Sequence, residues 1–219
     1  MQTRIDHLVI GANDVAQGVA YIRECLGVTM PYGGTHPVMG THNHLMRLGN
    51  GLFLEVLAID PDIDPPSRPR WFGLDDPFIR QRIAKKPVLL TWVVNTDHIN
   101  QLLKQAPISF GKAELISRGE LKWYFGLPRD GRLLSGGILP YAIEWQTPYH
   151  PAGKMADLGC RFKRLEIYHS NIPWLRDMLN AIGAAELVTL HALPAGEMPF
   201  LKAYIETPRG LKRIQSDWA

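Results

Sequence analysis

Apolar positions along the chain alternate between two spacings, and the alternation recurs three times. A short apolar run, Leu8 to Ala12, meets Asn13-Asp14, after which Val15, Val19, Ile22 and Leu26 share one face of a helical period. The Asx pair supplies an N-cap and Gly27 a stop, so this segment predicts an amphipathic helix. The second cycle runs from Val88 to Asn95, through Thr96-Asp97, to Ile99, Leu102, Leu103 and Ala106. The third runs from Phe162 to His169, through Ser170-Asn171, to a helix with Pro173 in its first turn, apolar Leu175, Met178, Leu179 and Ile182, and Gly183 as its close.

After each helix the period shortens to that of strands. The first unit predicts strands at roughly Val28 to Tyr32, His42 to Leu48 and Leu52 to Ile59, the last two joined by a Gly49-Asn50-Gly51 turn. The second predicts Phe110 to Ser117, Leu121 to Leu127 and Leu139 to Gln146; the third, shorter, predicts Leu187 to His191, Phe200 to Glu206 and Leu211 to Gln215. Four prolines (Pro61, Pro65, Pro66 and Pro69) make Asp60 to Arg70 a connector, with a short helix expected at Asp75 to Lys85. Thr147 to Asp157 is a second connector. The expected organisation is a first β-α-β-β-β module at 1–60, a connector with a short helix at 61–86, a second module at 87–147 and a third, abbreviated one at 148–219.

Composition narrows the function classes. With 219 residues and 46% hydrophobic content the chain can bury a sizeable core. Its net charge of +3 comes from scattered Lys and Arg, which argues against a nucleic-acid partner. No apolar run reaches about 18 residues, so no membrane span is expected. Two cysteines, Cys25 and Cys160, make no disulfide framework, and a reducing, cytoplasmic setting is the default. Cys25 reads as a small apolar residue near a helix end.

The polar residues that interrupt the apolar runs are the candidate chemistry. Glu55 stands within Leu52-Phe53-Leu54-Glu55-Val56-Leu57, Glu144 within Tyr141-Ala142-Ile143-Glu144-Trp145, and His7 opens His7-Leu8-Val9-Ile10. A carboxylate in such company is costly to bury without compensation. With Leu8/Ile10 and Leu54/Val56 assigned to the helix side, His7, Glu55 and Glu144 are expected on the opposite, concave face. Paired sheets would close that face around one cavity. His and Glu ligands suit a divalent Zn, Ni, Fe, Mn or Co. The competing reading pairs each acid with a nearby arginine, Arg47 or Arg118, and satisfies His7 with a backbone carbonyl. His36, His42 and His44 form a second cluster, explained as simply by a polar strand face as by a metal; Asn43 lies on the other face. Trp92, Trp123, Tyr124 and Trp145 read as core or interface residues. Phosphate loops, nucleophile elbows and zinc-finger spacings are absent from the sequence.

The chain resembles the vicinal oxygen chelate superfamily, which includes the glyoxalases and bleomycin-resistance proteins, and more closely the glyoxalase-like domain proteins. Ile5-Asp6-His7-Leu8-Val9-Ile10, Gly40-Thr41-His42-Asn43, Gly51-Leu52-Phe53-Leu54-Glu55, Pro128-Arg129-Asp130-Gly131 and Leu139-Pro140-Tyr141-Ala142-Ile143-Glu144-Trp145 carry the resemblance, over roughly the first 150 residues. It implies an α+β fold: tandem βαβββ modules forming cupped mixed sheets, helices outside, with a third partial module. It also implies metal ligands His7, Glu55 and Glu144, with Glu55 or Glu144 as the catalytic base. The fourth ligand place falls on Thr91, a poor ligand. Asn43, Arg47 and Arg118 are the expected substrate contacts. The implied function is a metal-dependent lyase, isomerase or dioxygenase acting on a small oxygenated molecule, with a homodimer compatible. The alternatives on the same fold are a metal-free binding protein and an interaction module whose cavity is filled by side chains.

Overall fold

A computed structural model describes residues 2–216. The first unit comprises β1 (Thr3–Gly11), α1 (Val15–Leu26), β2 (Tyr32–His36), β3 (Thr41–Gly49) and β4 (Leu52–Ile59). Asp14 caps α1 by accepting from the Gln17 N–H, and Gly27, at φ 76°, ends it. A connector carrying α2 (Pro77–Lys85), capped by Asp76, leads to the second unit: β5 (Val88–Thr96), α3 (Ile99–Gln105), β6 (Lys112–Arg118), β7 (Leu121–Leu127) and β8 (Tyr141–Trp145). The third unit is β9 (Arg161–His169), α4 (Ile172–Ala181), β10 (Thr189–Ala192), β11 (Phe200–Thr207) and β12 (Gly210–Gln215).

The first two units fuse edge to edge. Antiparallel pairing of β1 with β5 produces one eight-stranded mixed sheet in the order β2-β3-β4-β1-β5-β8-β7-β6. In this order β2 and β6 are the outer strands, yet Arg118 Nη1 at the end of β6 lies 3.0 Å from His36 Nε2 at the end of β2. The sheet therefore curls until its two edges meet.

The expected strand at Val28 to Tyr32 is displaced: β2 begins at Tyr32 and runs through Gly33 and Gly34. Glycine is a weak strand former, but here the close approach of β3 requires it. A Cβ on Gly33 would lie 2.4 Å from Asn43 Oδ1 and 2.7 Å from Leu45 Cγ.

The third unit keeps the β-α-β-β-β element order with a different wiring. Its sheet runs β10-β9-β11-β12, so its first strand is interior, whereas β1 pairs with β4 in the first unit. Leu165, Ile167, Ala203, Ile205 and Ile214 of this sheet join the same core as Leu8, Ile10, Trp92 and Val94. It packs onto β5 and α1 on the outer side of the large sheet. Strand β5 is thus covered on both faces, which is why Val88 to Val94 is apolar at every position but Thr91.

Candidate functional site

The concave face of the curled sheet forms a cavity that is partly open to solvent, about 460 Å³ with its mouth included. The first unit lines it with His7, His36, Asn43, Leu45, Phe53 and Glu55. The second contributes Arg118, Trp123, Phe125, Ile143 and Trp145, and the connectors add Trp71, Phe72, Pro151 and Met155. Chemistry is divided unevenly: the acid and the histidines come from one module, a cation and aromatic walls from the other.

The site is organised by a break in β1. Ile5 pairs with Val94 and His7 with Val93, so Asp6 is an extra residue in the ladder. Such a bulge re-aims side chains, and it allows Asp6 and His7 to meet side by side. Asp6 is wholly buried and accepts four hydrogen bonds: from His7 Nδ1 at 2.6 Å, Trp145 Nε1 at 2.8 Å, His150 Nε2 at 2.9 Å and Asn95 Nδ2 at 3.0 Å. Oδ1 accepts from His7 and Oδ2 from the other three, so both carboxylate oxygens are engaged. Burial by itself pushes the Asp6 carboxyl up, but the hydrogen bonds from His150 and His7 outweigh it and hold the group well below the usual carboxylate range. Because ionised Asp6 can only accept, His7 carries a proton on Nδ1 and presents Nε2 to the cavity. The ring is stacked on Phe53, with centroids 4.4 Å apart.

His7 Nε2 lies 3.6 Å from Glu55 Oε2, while the Asn43 amide donates to Glu55 Oε1 at 2.6 Å. Asn43 Oδ1 in turn accepts from Arg118 Nη1 at 3.4 Å, and the same Nη1 reaches His36 Nε2. Burial, then the neighbouring guanidinium, pushes the His36 pKa down to about 3. His36 is therefore neutral near pH 7: Nε2 accepts from Arg118, and Nδ1–H donates to Thr41 Oγ1 at 3.1 Å. Burial also lowers Arg118 from its ordinary value, with the charge of Glu55 opposing the shift.

Of the residues expected on this face, His7, Glu55, Asn43 and Arg118 come together and Glu144 does not. On β8 it is Ile143 and Trp145 that face the cavity, paired across the sheet with Phe125 and Trp123. Glu144 points to the helix side, where its Oε2 accepts the Ile99 N–H at 2.8 Å and its Oε1 accepts from Gln146 Nε2 at 2.9 Å. The carboxylate satisfies the first turn of α3, which His98 leaves without a side-chain cap. Arg47 lies outside the cavity lining, ion-paired with Asp157 at 2.6 Å. Thr91, aligned with His7 by sequence, sits opposite Val9 and donates to the Gly137 carbonyl at 3.3 Å. His42 Nδ1 lies 3.7 Å from Asp60, and His44 Nδ1 contacts the Met30 carbonyl at 2.8 Å, both away from the cavity.

The expected three-ligand metal set is not assembled. Among the described residues no group of three His, Cys, Asp or Glu side chains is placed to hold a metal ion. His7 and Glu55 supply two donors, and the third, Glu144, is committed to α3.

Sequence reasoning passed over four contributors. Asp6 was available as the lone acid in Ile5-Asp6-His7-Leu8, but the bulge that makes it the organiser has no local signature. Trp145 reads as core yet donates to Asp6. His150 and Trp71 lie in connectors and reach the site only through tertiary folding.

The curled mixed sheet with outer helices and a composite concave site defines the glyoxalase-type fold. A model of the glyoxalase-like domain matches residues 5–183, and the chain belongs to that family. A hypothetical protein from Staphylococcus aureus aligns over 99% of this chain and 87% of its own, at 13% identity and a TM-score of 0.59. A point variant of methylmalonyl-CoA epimerase from Streptomyces coelicolor aligns over 69% of this chain and 100% of its own, at 16% identity and a TM-score of 0.41. A mutant 4-hydroxymandelate synthase from Streptomyces coelicolor aligns over 97% and 62%, at 13% identity and a TM-score of 0.46. No curated protein matches the chain. Among the described residues no helix is long and apolar enough to cross a membrane.

Proposed function

We propose that the protein is an enzyme that moves a proton on a small oxygenated molecule held in the cavity, with Glu55 and His7 as the acid–base pair. One observation carries the reading: a buried carboxylate, Asp6, locks the tautomer of His7 so that Nε2 stands 3.6 Å from Glu55 inside a mostly apolar pocket. A carboxylate and an imidazole at that separation can each reach one ligand atom, or exchange a proton through it. Glu55 takes a proton from an acidified C–H or O–H of the ligand, the charge left on the ligand oxygen falls near Arg118, and the proton returns from Glu55 or from protonated His7 Nε2. This is isomerase or lyase chemistry. The anchored amide of Asn43 orients Glu55 and is less a substrate contact than a positioning group.

The test is wash-in of deuterium. Small carbonyl compounds incubated with the protein in D2O and followed by NMR should include at least one that exchanges faster than in buffer, and Glu55→Gln should reduce that exchange by about 10²–10⁴-fold. Exchange undiminished in both Glu55→Gln and His7→Gln would overturn the assignment.

A second reading, a metal-free binding protein, is favoured by the aromatic lining and by the two-donor limit at His7 and Glu55. Ligand binding without exchange, unaltered by Glu55→Gln, would establish it. Metal dependence is tested on untagged protein: stoichiometric Zn, Ni, Fe, Mn or Co that is lost in His7→Ala supports it, and metal-free protein with full exchange activity rejects it.

A further inference from the structure

Arg118 is a half-buried cation whose hydrogen-bond partners are neutral. Its Nη1 is shared between His36 Nε2 and Asn43 Oδ1, and no carboxylate lies within ion-pair distance of it among the described residues. Its other guanidinium nitrogens make no hydrogen bond there. Glu55, the acid whose charge it feels, is already engaged through Oε1 by Asn43. Desolvating a charge in this way is unfavourable unless an anion completes the site.

A second donor stands beside it without a partner. Trp71 lines the same cavity and is 4% exposed, and its indole Nε1 is buried with no hydrogen-bond acceptor among the described residues. Its ring meets His36, the acceptor of Arg118, edge-on at 4.9 Å. Buried indole N–H groups ordinarily find an acceptor. The backbone at this point is also strained, since Phe72 has φ 58°, a left-handed conformation costly for an aromatic residue. Arg70, just before, is pinned by Asp75 through Nη1 at 2.6 Å and through its backbone N–H at 2.7 Å. The connector thus holds Trp71 in place from both sides.

We propose that Arg118 and Trp71 form an anion subsite for the carboxylate of a small planar aromatic acid. This deepens the proton-transfer reading and rests on it for the purpose of the cavity. The free edge of a guanidinium binds a carboxylate through two parallel N–H donors, and the indole N–H adds a third from the side. The flat ring of the ligand suits the aromatic lining of Trp123, Phe125 and Trp145, in which Trp123 and Trp145 pack at 5.4 Å. Aromatic rings stack well on such surfaces and puckered rings do not.

The test is isothermal titration of the full chain with three probes: benzoate, its neutral counterpart benzamide, and the non-planar anion cyclohexanecarboxylate. Benzoate should bind at least about 10-fold more tightly than either, the selectivity expected of one charge-assisted contact or one stacking surface. Trp71→Phe, which keeps the ring and loses the N–H, should weaken benzoate about 5- to 10-fold and leave benzamide less affected. Arg118→Met should abolish the preference for benzoate over benzamide, and Arg118→Lys should retain part of it. If the methionine variant fails to fold, the wild-type preference and the lysine and Trp71→Phe variants still decide the matter. Equal binding of benzoate and benzamide, or no benzoate binding at millimolar concentration, overturns the subsite. Benzoate selectivity preserved in Glu55→Gln while deuterium exchange is absent even from wild type would overturn only the proton-transfer reading. Exchange without benzoate selectivity would overturn only the subsite.

Discussion

Asp6 shows how much one residue can decide. Four donors converge on a carboxylate with no solvent access, and two of them are imidazoles that it orients. Asp6→Ala leaves those donors facing a void, and should cost about 3–5 kcal/mol in urea unfolding, as when one partner of a buried charge network is removed. Asp6→Asn should cost less stability but still disturb His7, because an amide nitrogen then meets one of the donors. His36 makes the protein sensitive to acid. Its folded pKa is pushed down to about 3 from an ordinary 6.5, so between those values unfolding takes up a proton and stability falls as pH falls. Denaturation midpoints should decline from pH 6.5 to pH 4.5, by an amount worth about 3 kcal/mol once pH 4 is reached, and His36→Gln should flatten the slope. Asp6 adds its own loss only below the ordinary 3.8, since its carboxyl is held lower still in the folded chain. The loss from His36 therefore begins well above the pH at which that from Asp6 sets in, and the two overlap only between 3.8 and about 3. At this scale the sequence exposed Glu55 and His7 through polarity at an apolar position and offered Asn43 through the family resemblance, but hid Asp6, whose importance comes from the register shift beside it.

Among the elements, β8 shows where pattern reading fails. Strand alternation was legible in Tyr141-Ala142-Ile143-Glu144-Trp145, but which face turned to the cavity was not. An acid inside an apolar run suggests a site, whereas here the cavity wall is apolar and the acid answers an uncapped helix. Glu144→Ala should therefore lower stability by about 1 kcal/mol, the usual worth of an N-terminal cap, and leave deuterium exchange unchanged. A loss of exchange with unaltered stability would place Glu144 back in the chemistry. The helices were the most legible elements, because Asp14 with Gln17, Asn171 with Trp174, and Gly27 at its positive φ are local devices. β2 was less so, since Gly33 is selected by Asn43 and Leu45 across the sheet, and nothing adjacent in sequence reveals that contact. Gly33→Ala should push on Asn43 and weaken the orientation of Glu55, read as reduced exchange at near-normal secondary structure.

For the molecule as a whole, the third unit is part of the core, not an appendage. Its apolar face joins Trp92 and Leu8 in one cluster, and Thr3 donates to the Gly183 carbonyl between the chain's beginning and α4. Unfolding should be a single cooperative transition, with tryptophan fluorescence, far-UV circular dichroism and hydrogen exchange in β5 and β11 agreeing on one midpoint. Two separated midpoints would show that the third sheet folds independently. Repetition of a unit was visible in the periodicity, but the rewired strand order of the last copy was not, because the same β-α-β-β-β element order allows the first strand to pair with the second, as β9 does with β10, or with the fourth, as β1 does with β4. Fusion of β1 with β5 places both halves of the cavity on one polypeptide. Two modules joined in this way need not stay alike: one can specialise in acid–base groups, the other in a cation and rings. The composite cavity is then one asymmetric binding place built within a single chain, so its saturation should approach one ligand per polypeptide.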